Sequence, residues 1–453
     1  MPFTVLPSSI KNPFAFYKRL RQTTSHTCIL ESLGDIDPNF SRYTFVGALP
    51  AEALVKVGDD ATVIDLQSNV RSNTNSWLKV LDQWSGILEK TGDAGPLQTG
   101  VIGYIGYDIK YEFERLTRRI AADIEMPDLY LVRYDAILVY DRTTGESKWA
   151  VSDGYESRCI EFEKLATEVH PNQTVPFTLQ GPLKPDFTLE TYLDSVQKTV
   201  KYIRAGDIFQ ANITGRFCAP CKGDVIHLYE QLRATTPNPF FALLDFPLPV
   251  ISTSPERFFS VRGDRITASP IKGTCPCEID SIDQRHWLEQ SAKDRAENIM
   301  ITDLMRNDIG RVSTKDSVQV DALCAVKRFN NVYHLESTVS GTLRPSVQLS
   351  DILRALFPCG SVTGAPKIHA MDIIEELETT RRGPYTGAFG FFGSSGWIDT
   401  SVAIRIAYFA SGRVYVHAGG GIVADSQPEL EYKELMAKLS GISTCLESLQ
   451  TSQ

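Results

Sequence analysis

The sequence predicts a fold of mixed strands and helices with antiparallel strand pairing, and three features carry that reading. Residues 1–150 hold mostly short strand-like runs rich in β-branched and aromatic residues. Residues 251–261 and 265–272 are two such runs around the turn signal Gly263-Asp264, which makes a hairpin. Residues 287–306 and 428–449 read as long helices. With 453 residues the chain exceeds the usual single-domain size, so two domains, or one large intertwined one, are expected.

Taken in order, strands are expected at 43–47, 52–57, 61–65, 100–107 and 129–140, with helices near 13–21 and 77–90. Asp141 to Gly145 is a turn between strands. Residues 168–186 are polar and Pro-rich, the best linker candidate, and separate an N-terminal part, 1–170, from a second part, 187–450. Residues 189–204 place Tyr192, Val196, Val200 and Ile203 on one helix side, and Gly206 suits the C-terminal cap. Residues 208–217 then alternate: Phe209, Ala211, Ile213 and Phe217 face one way, Gln210, Asn212, Thr214 and Arg216 the other. Such a polar face is either solvated or lines a polar cavity. Residues 287–306 are apolar almost all round from Ile299 to Met305, so the middle of that helix should be buried. Strands are expected at 382–393, 398–410 and 413–416. Arg405 lies inside an apolar run, and a buried arginine needs an anion. Gly419, Gly420 and Gly421 read by default as a turn, although three glycines also allow close backbone approach to an anion. Asp425-Ser426 can cap the last helix, which carries Leu430, Leu435, Leu439, Ile442 and Leu446 as its apolar positions.

The net charge of −9 does not favour nucleic acid or an anionic membrane. Nine cysteines are scattered; Cys218-x-x-Cys221 and Cys275-x-Cys277 lack a matching histidine cluster, so free thiols in a reducing compartment are expected rather than zinc. No basic start with an apolar core marks a signal peptide, and no apolar run approaches the ~18 residues of a membrane span. A cytoplasmic protein is expected.

Lys272 ends the return strand of the hairpin, where the pattern calls for a small or apolar residue. A two-residue loop pairs Glu256 with Ile271; one extra loop residue, with a bulge, pairs Glu256 with Lys272. The second register is expected, because an amine beside a carboxylate is an acid-base or nucleophile arrangement. On spacing alone an exposed ion pair is the commoner outcome. Two helices each offer a carboxylate pair three residues apart, Asp294/Glu297 and Glu431/Glu434. Each pair alone reads as solvated surface. Brought face to face they would form a hard oxygen site for Mg²⁺.

The stretches Gly206-Asp-Ile-Phe-Gln210, Ser254-Pro-Glu-Arg-Phe258, Pro270-Ile-Lys-Gly-Thr274, Asp294-Arg-Ala-Glu-Asn298, Leu304-Met-Arg-Asn-Asp308, Tyr333-His334, Phe357-Pro-Cys-Gly-Ser-Val-Thr-Gly-Ala-Pro-Lys367, Arg405 and Ala418-Gly-Gly-Gly-Ile-Val-Ala-Asp-Ser426 together resemble the chorismate-utilising enzymes. That family holds the anthranilate, aminodeoxychorismate, isochorismate and salicylate synthases. The resemblance is dense from 187 to 446. It implies an α+β fold of two large antiparallel β-sheets packed face to face with flanking helices. Gln210 stands where the water-using members carry a lysine base, which argues for ammonia as nucleophile. Lys272 stands where anthranilate synthases carry alanine, and the lysine form is that of the aminodeoxychorismate-forming branch. Cys359, where a small residue is expected, and Cys275-Pro-Cys277 depart from the pattern.

The resemblance implies roles residue by residue. Lys272 would attack chorismate covalently, Glu256 would be general acid, and His334 would orient the ring. Glu297 and Glu434 would bind Mg²⁺, with Glu431 and Asp294 acting through water. Arg405, Tyr385 and the backbone at Gly419, Gly420 and Gly421 would hold the enolpyruvyl carboxylate. Gln210, Thr363 and Gly364 would complete the substrate site, with Lys438 adding positive charge. The product would be 4-amino-4-deoxychorismate, the precursor of 4-aminobenzoate and folate. The sequence has no Gly-x-Cys-x-Gly nucleophile elbow, so ammonia would come from a separate glutamine amidotransferase subunit in a heterodimer. Ser32, Phe40, Ser41, Arg42 and Tyr43, completed by Pro239, Phe240 and Phe241, would form a tryptophan pocket; the same residues could instead only pack the two parts together.

Overall fold

Alternation along the strands sets up the architecture. In Phe240–Asp245, Phe241 and Leu243 enter one core while Ala242 and Leu244 enter another. In Leu129–Asp141, Leu129 and Leu131 point to a third core, and Tyr130, Val132 and Tyr134 share the second with Ala242 and Leu244. That shared core contains no helical residue among those described, so it is where two sheet faces meet. The outer faces are covered by helices. Pro13–Leu20, Leu189–Ala205, Lys367–Leu377 and Pro428–Ser448 cover one side. Trp77–Ser85, Ala292–Gly310 and Leu349–Leu356 cover the other. The expected α+β arrangement of two antiparallel layers with flanking helices is the one that forms. The computed structural model describes residues 2–37, 40–86, 95–168, 174–276, 282–329 and 332–450.

Strands from both halves of the chain share the sheets. Thr27–Glu31 pairs with Phe240–Asp245, and Gly100–Ile105 pairs with Ala388–Gly393. The segments expected at 43–47 and 52–57 are one strand, Tyr43–Val57, kept continuous by register shifts near Gly47 and Pro50. In the expected linker, 178–179 and 184–185 pair with the C-terminal half of Gln210–Lys222, and 169–173 lie outside the described residues. Local chemistry fixes the helix ends. Asn12 and Thr188 accept from Ala15 and Thr191 amides at 2.9 and 3.1 Å, and Gly206 stops its helix at φ 89°. Trp77–Ser85 ends at Gly86, short of the expected residue 90, and 87–90 lie outside the described residues.

Several expectations are corrected. The helix expected at 287–306 is two, Ile282–Gln290 and Ala292–Gly310, because Ser291 caps the Asp294 amide and starts a new helix. Ile299 is 44% exposed, so that helix is amphipathic rather than buried all round. The strand expected at 398–410 is interrupted at Arg405, whose φ of 51° breaks the ladder, and pairing in 382–393 begins only at Ala388. The last helix is capped at Gln427 rather than Asp425-Ser426, and Leu430 is exposed.

Candidate active site

Lys272 lies in Ile271–Pro276, which pairs with Val332–Thr342. Lys272 is opposite Leu335 and Thr274 opposite His334, with a register shift at Gly273 between them. Residues two apart on a regular strand share a face, so this bulge turns Lys272 and Thr274 to opposite sides. Gly273 has φ 78°, and a Cβ there would sit 2.9 Å from the Asp294 Cβ, so only glycine fits. This is not the expected bulge, which was to lie in the hairpin loop and does not form. The hairpin itself closes with the two-residue loop: Arg262 pairs with Arg265 and Ser260 with Thr267. The ladder ends there, and Glu256 does not pair with Lys272.

The two side chains still feel each other's charge. Lys272 Nζ donates to the Ser361 carbonyl at 3.2 Å. Desolvation lowers its amine from the usual value and Lys438 adds to this, while Glu297, Glu256 and Glu434 oppose it. Glu256 is buried, and burial pushes its carboxyl up to about 7 against the Ser361 hydroxyl, the Lys272 charge and the Ile271 amide, with Glu336 adding repulsion. Its Oε1 has no hydrogen-bond partner among the described residues. His334 is buried, and its Nδ1 lies 3.0 Å from Thr274 Oγ1. Burial lowers it to about 4, with help from the Arg405 charge, so the ring is neutral near pH 7.

The glycine run is not a turn. Gly419, Gly420 and Gly421 continue Arg413–Ile422 and pair with Thr214, Ile213 and Asn212. A Cβ on Gly421 would lie 2.1 Å from Gln210 Nε2 and 3.5 Å from Lys272 Nζ. A Cβ on Gly420 would meet Glu431 Oε2 at 3.3 Å, Glu434 Oε1 at 3.5 Å and Lys438 Nζ at 3.7 Å. The run therefore brings the amide and amine to one residue and the carboxylates of the last helix to its neighbour. Gln210 is fully buried, yet neither atom of its amide has a partner among the described residues, which is costly unless a ligand supplies one. Of the two readings of that polar face, the solvated one does not hold at Gln210, which is fully buried.

Around these groups, Thr363 donates its hydroxyl to the Cys359 carbonyl at 3.0 Å and its own carbonyl accepts the Asn212 amide at 2.7 Å. Gly364 pairs with Ala211. Tyr385 is buried and stacks on His417 with centroids 4.9 Å apart. The Arg405 guanidinium makes no hydrogen bond or ion pair among the described residues, and desolvation lowers its pKa from the usual value. The anion that the sequence demanded is left for a ligand to supply. Lys438 bonds the Gly419 carbonyl at 3.1 Å and pairs with Glu434 at 2.7 Å.

The four acidic residues are unequally placed. Burial raises Glu297 from the usual range, with Asp294 and Glu434 adding and Lys272 and Lys293 opposing. Glu431 accepts from Ser426 at 2.6 Å and Asp294 from Ser291 at 2.5 Å. No three His, Cys, Asp or Glu side chains converge into a ligand set among the described residues. Glu297, Glu431 and Glu434 do offer the hard carboxylate oxygens that suit Mg²⁺, with lysines now offsetting their charge. Of the two close cysteine pairs, Cys218 donates to Asp186 at 3.1 Å, and Cys277 lies outside the described residues. The residue that sequence reading missed is Ser361, whose carbonyl accepts from Lys272 and whose hydroxyl lies 3.3 Å from the Cys359 thiol. Its place in the Phe357 to Lys367 motif was the available signal.

A separate apolar cavity is lined by seven of the eight residues expected for tryptophan: Ser32, Phe40, Arg42, Tyr43, Pro239, Phe240 and Phe241. Ser41 is not among them. It is fully buried, donates to the Asp35 carbonyl at 2.6 Å and accepts from the Asp37 amide at 2.9 Å, so it shapes the loop instead. No helix among the described residues is long and apolar enough to cross a membrane.

Comparison with known proteins adds three findings. The family described as chorismate binding enzyme matches residues 41–444. Aminodeoxychorismate synthase component 1 of Escherichia coli is 38% identical over 421 residues, 91% of this chain and 92% of that one. That of Bacillus subtilis is 33% identical over 95% and 94%, and anthranilate synthase component 1 of Haloarcula marismortui is 34% identical over 95% and 89%. The crystal structure of anthranilate synthase component I from Streptococcus pneumoniae superposes with a TM-score of 0.78 at 30% identity, covering 90% of this chain and 93% of that one.

Proposed function

Because the chain belongs to the family of chorismate-binding enzymes, we propose that it is an aminodeoxychorismate synthase component 1, converting chorismate and ammonia to 4-amino-4-deoxychorismate. The observation that carries this reading is the Lys272 amine, lowered by desolvation and set beside a carboxyl that titrates near neutrality. An unprotonated amine is a nucleophile, and a carboxyl at about 7 is half protonated where it works. Lys272 attacks carbon 2 of the ring, the double bonds shift, and the hydroxyl on carbon 4 leaves with a proton from Glu256. Ammonia then attacks carbon 4, the double bonds shift back, and the bond to Lys272 breaks. The enolpyruvyl ether is untouched. Gln210, where a water-activating base would need a titratable group, provides only an amide. His334, neutral, hydrogen-bonds without adding charge. Arg405, with Tyr385 and the glycine run, pairs the enolpyruvyl carboxylate. Glu297 and Glu434, with Glu431 and Asp294 further out, would hold Mg²⁺, which when bound offsets the ring carboxylate.

Ammonia is supplied by a glutamine amidotransferase subunit, and the product feeds 4-aminobenzoate and folate synthesis. A second reading, anthranilate synthase component 1, is favoured by the similarity to the Haloarcula protein and opposed by the amine at Lys272. Product identity decides between them. Purified protein with chorismate, Mg²⁺ and ammonium should give an aminated product retaining the enolpyruvyl group by mass spectrometry. Anthranilate plus pyruvate would establish the second reading.

A further inference from the structure

We propose that His417 is a positioning residue of the substrate site: its ring is the shelf that fixes the plane of Tyr385, and so aims the Tyr385 hydroxyl at the enolpyruvyl carboxylate beside Arg405. The proposal rests on the placement of Tyr385 and Arg405 at the chorismate site made above. Tyr385 needs such a support. It lies in the turn ahead of Ala388–Gly393, before the ladder begins, and Thr386 after it has φ 58°. A 2.7 Å bond from the Thr386 amide to the Ala403 carbonyl brings this turn alongside the chain that leads to Arg405. The Tyr385 hydroxyl makes no hydrogen bond among the described residues. The direction of its ring is therefore set by packing, and the ring that its face meets is that of His417, 4.9 Å away and 19° from parallel.

His417 is itself held. Its ring centroid is 5.7 Å from that of Tyr408, and its Nε2 is 2.9 Å from the Tyr408 hydroxyl. Tyr408 in turn stacks at 5.3 Å on Tyr415, its ladder partner. Four rings are thus linked in series, with Tyr385 the last of them. Strand register aims the series at the site. Arg413–Ile422 pairs with Gln210–Lys222 without a shift, so His417, Gly419 and Gly421 share a face. On that face a Gly421 Cβ would lie 3.5 Å from Lys272 Nζ. Burial, with the Arg216 and Arg382 charges, keeps the His417 imidazole neutral near pH 7, so the shelf adds no charge to compete with Arg405 for a carboxylate. Burial also keeps the Tyr385 hydroxyl protonated and hence a donor.

Chorismate affinity is read as Kd by calorimetry with Mg²⁺ in a Lys272→Ala background, where no bond to the lysine forms, so the reading does not depend on which product the wild type makes. His417→Gln keeps a polar group for Tyr408 and removes the ring. His417→Phe keeps a ring and removes the polar group. His417→Gln should weaken affinity about tenfold, whereas His417→Phe should stay within about threefold although it melts lower, because the buried Tyr408 hydroxyl loses its partner. A loss in His417→Phe equal to or greater than that in His417→Gln overturns the proposal, and so does unchanged affinity in His417→Gln. Joined to Tyr385→Phe, His417→Gln should add less than about twofold, since both act through one hydroxyl; losses that multiply overturn the proposal. Unchanged affinity in Tyr385→Phe removes Tyr385 from the substrate site, and the proposal falls with that placement; unchanged affinity in His417→Gln alone leaves the placement standing. If His417→Gln does not fold, His417→Leu, apolar and without a flat ring, takes its place under the same criteria.

Discussion

Glu256 has measurable consequences beyond catalysis. Burial pushes its carboxyl in the folded protein up to about 7, from an ordinary 4.5. A carboxyl raised on folding favours the folded state most at low pH, and that contribution disappears as pH rises through about 7. At pH 8 the charged side chain is therefore a burden of roughly 3 kcal/mol at most. Glu256→Gln should melt higher than wild type at pH 8, converge with it near pH 4.5, and lose kcat by about a hundredfold or more. Equal melting temperatures at both pH values would show that the carboxyl is not desolvated. Arg405→Ala should raise KM for chorismate about tenfold or more, the loss of one charge-assisted carboxylate pair; an unchanged KM would remove Arg405 from the substrate site. These residues were legible in the sequence because each sits in a motif with a chemical oddity, such as a lysine where a strand wants an apolar side chain. Ser361 was not, since a serine among glycines carries no periodic signal and its contacts arise from the fold of one turn.

At the scale of elements, the site depends on one inserted residue. The bulge at Gly273 sends Lys272 and Thr274 to opposite faces, which lets Lys272 face the helix carrying Glu297 while Thr274 holds His334. Gly273→Ala should cost about 1–3 kcal/mol, from its positive φ and the contact with Asp294. It should also depress turnover more than stability, because it displaces Lys272. Full activity in that variant would mean that the bulge is not needed to aim the amine. The sequence reading put a bulge in the hairpin loop, where none forms, since a bulge is a count of residues between partners and the partner of Lys272 turned out to be a later strand. The break at Ser291 was hidden for a similar reason: helical periodicity on both sides continues through a one-residue cap. The glycine run was misread as a turn because glycine is a weak strand former; here missing side chains make room for Gln210, Lys272 and the carboxylates.

For the whole molecule, the two sheet layers were legible only through the family resemblance, because pairing between Thr27–Glu31 and Phe240–Asp245 joins residues some two hundred apart. The apolar cavity draws on both halves of the chain, Phe40 and Tyr43 from one and Phe240 and Phe391 from the other. Tryptophan is its proposed occupant. At a hundredfold excess over Kd, tryptophan should stabilise the fold by about 2.7 kcal/mol and raise the melting temperature. An unchanged melting temperature would mean that these residues only pack the layers together.

The central claim is that amination passes through a covalent bond to Lys272. The most direct measurement is the intact mass of the protein held with chorismate and Mg²⁺ in the absence of ammonium, with peptide mapping of any adduct. The account predicts a chorismate-derived adduct, less the elements of water, on Lys272, discharged to product when ammonium is added and absent from Lys272→Ala. Aminated product from Lys272→Ala at the wild-type rate would contradict it, and would reduce Lys272 to a charge in the cleft.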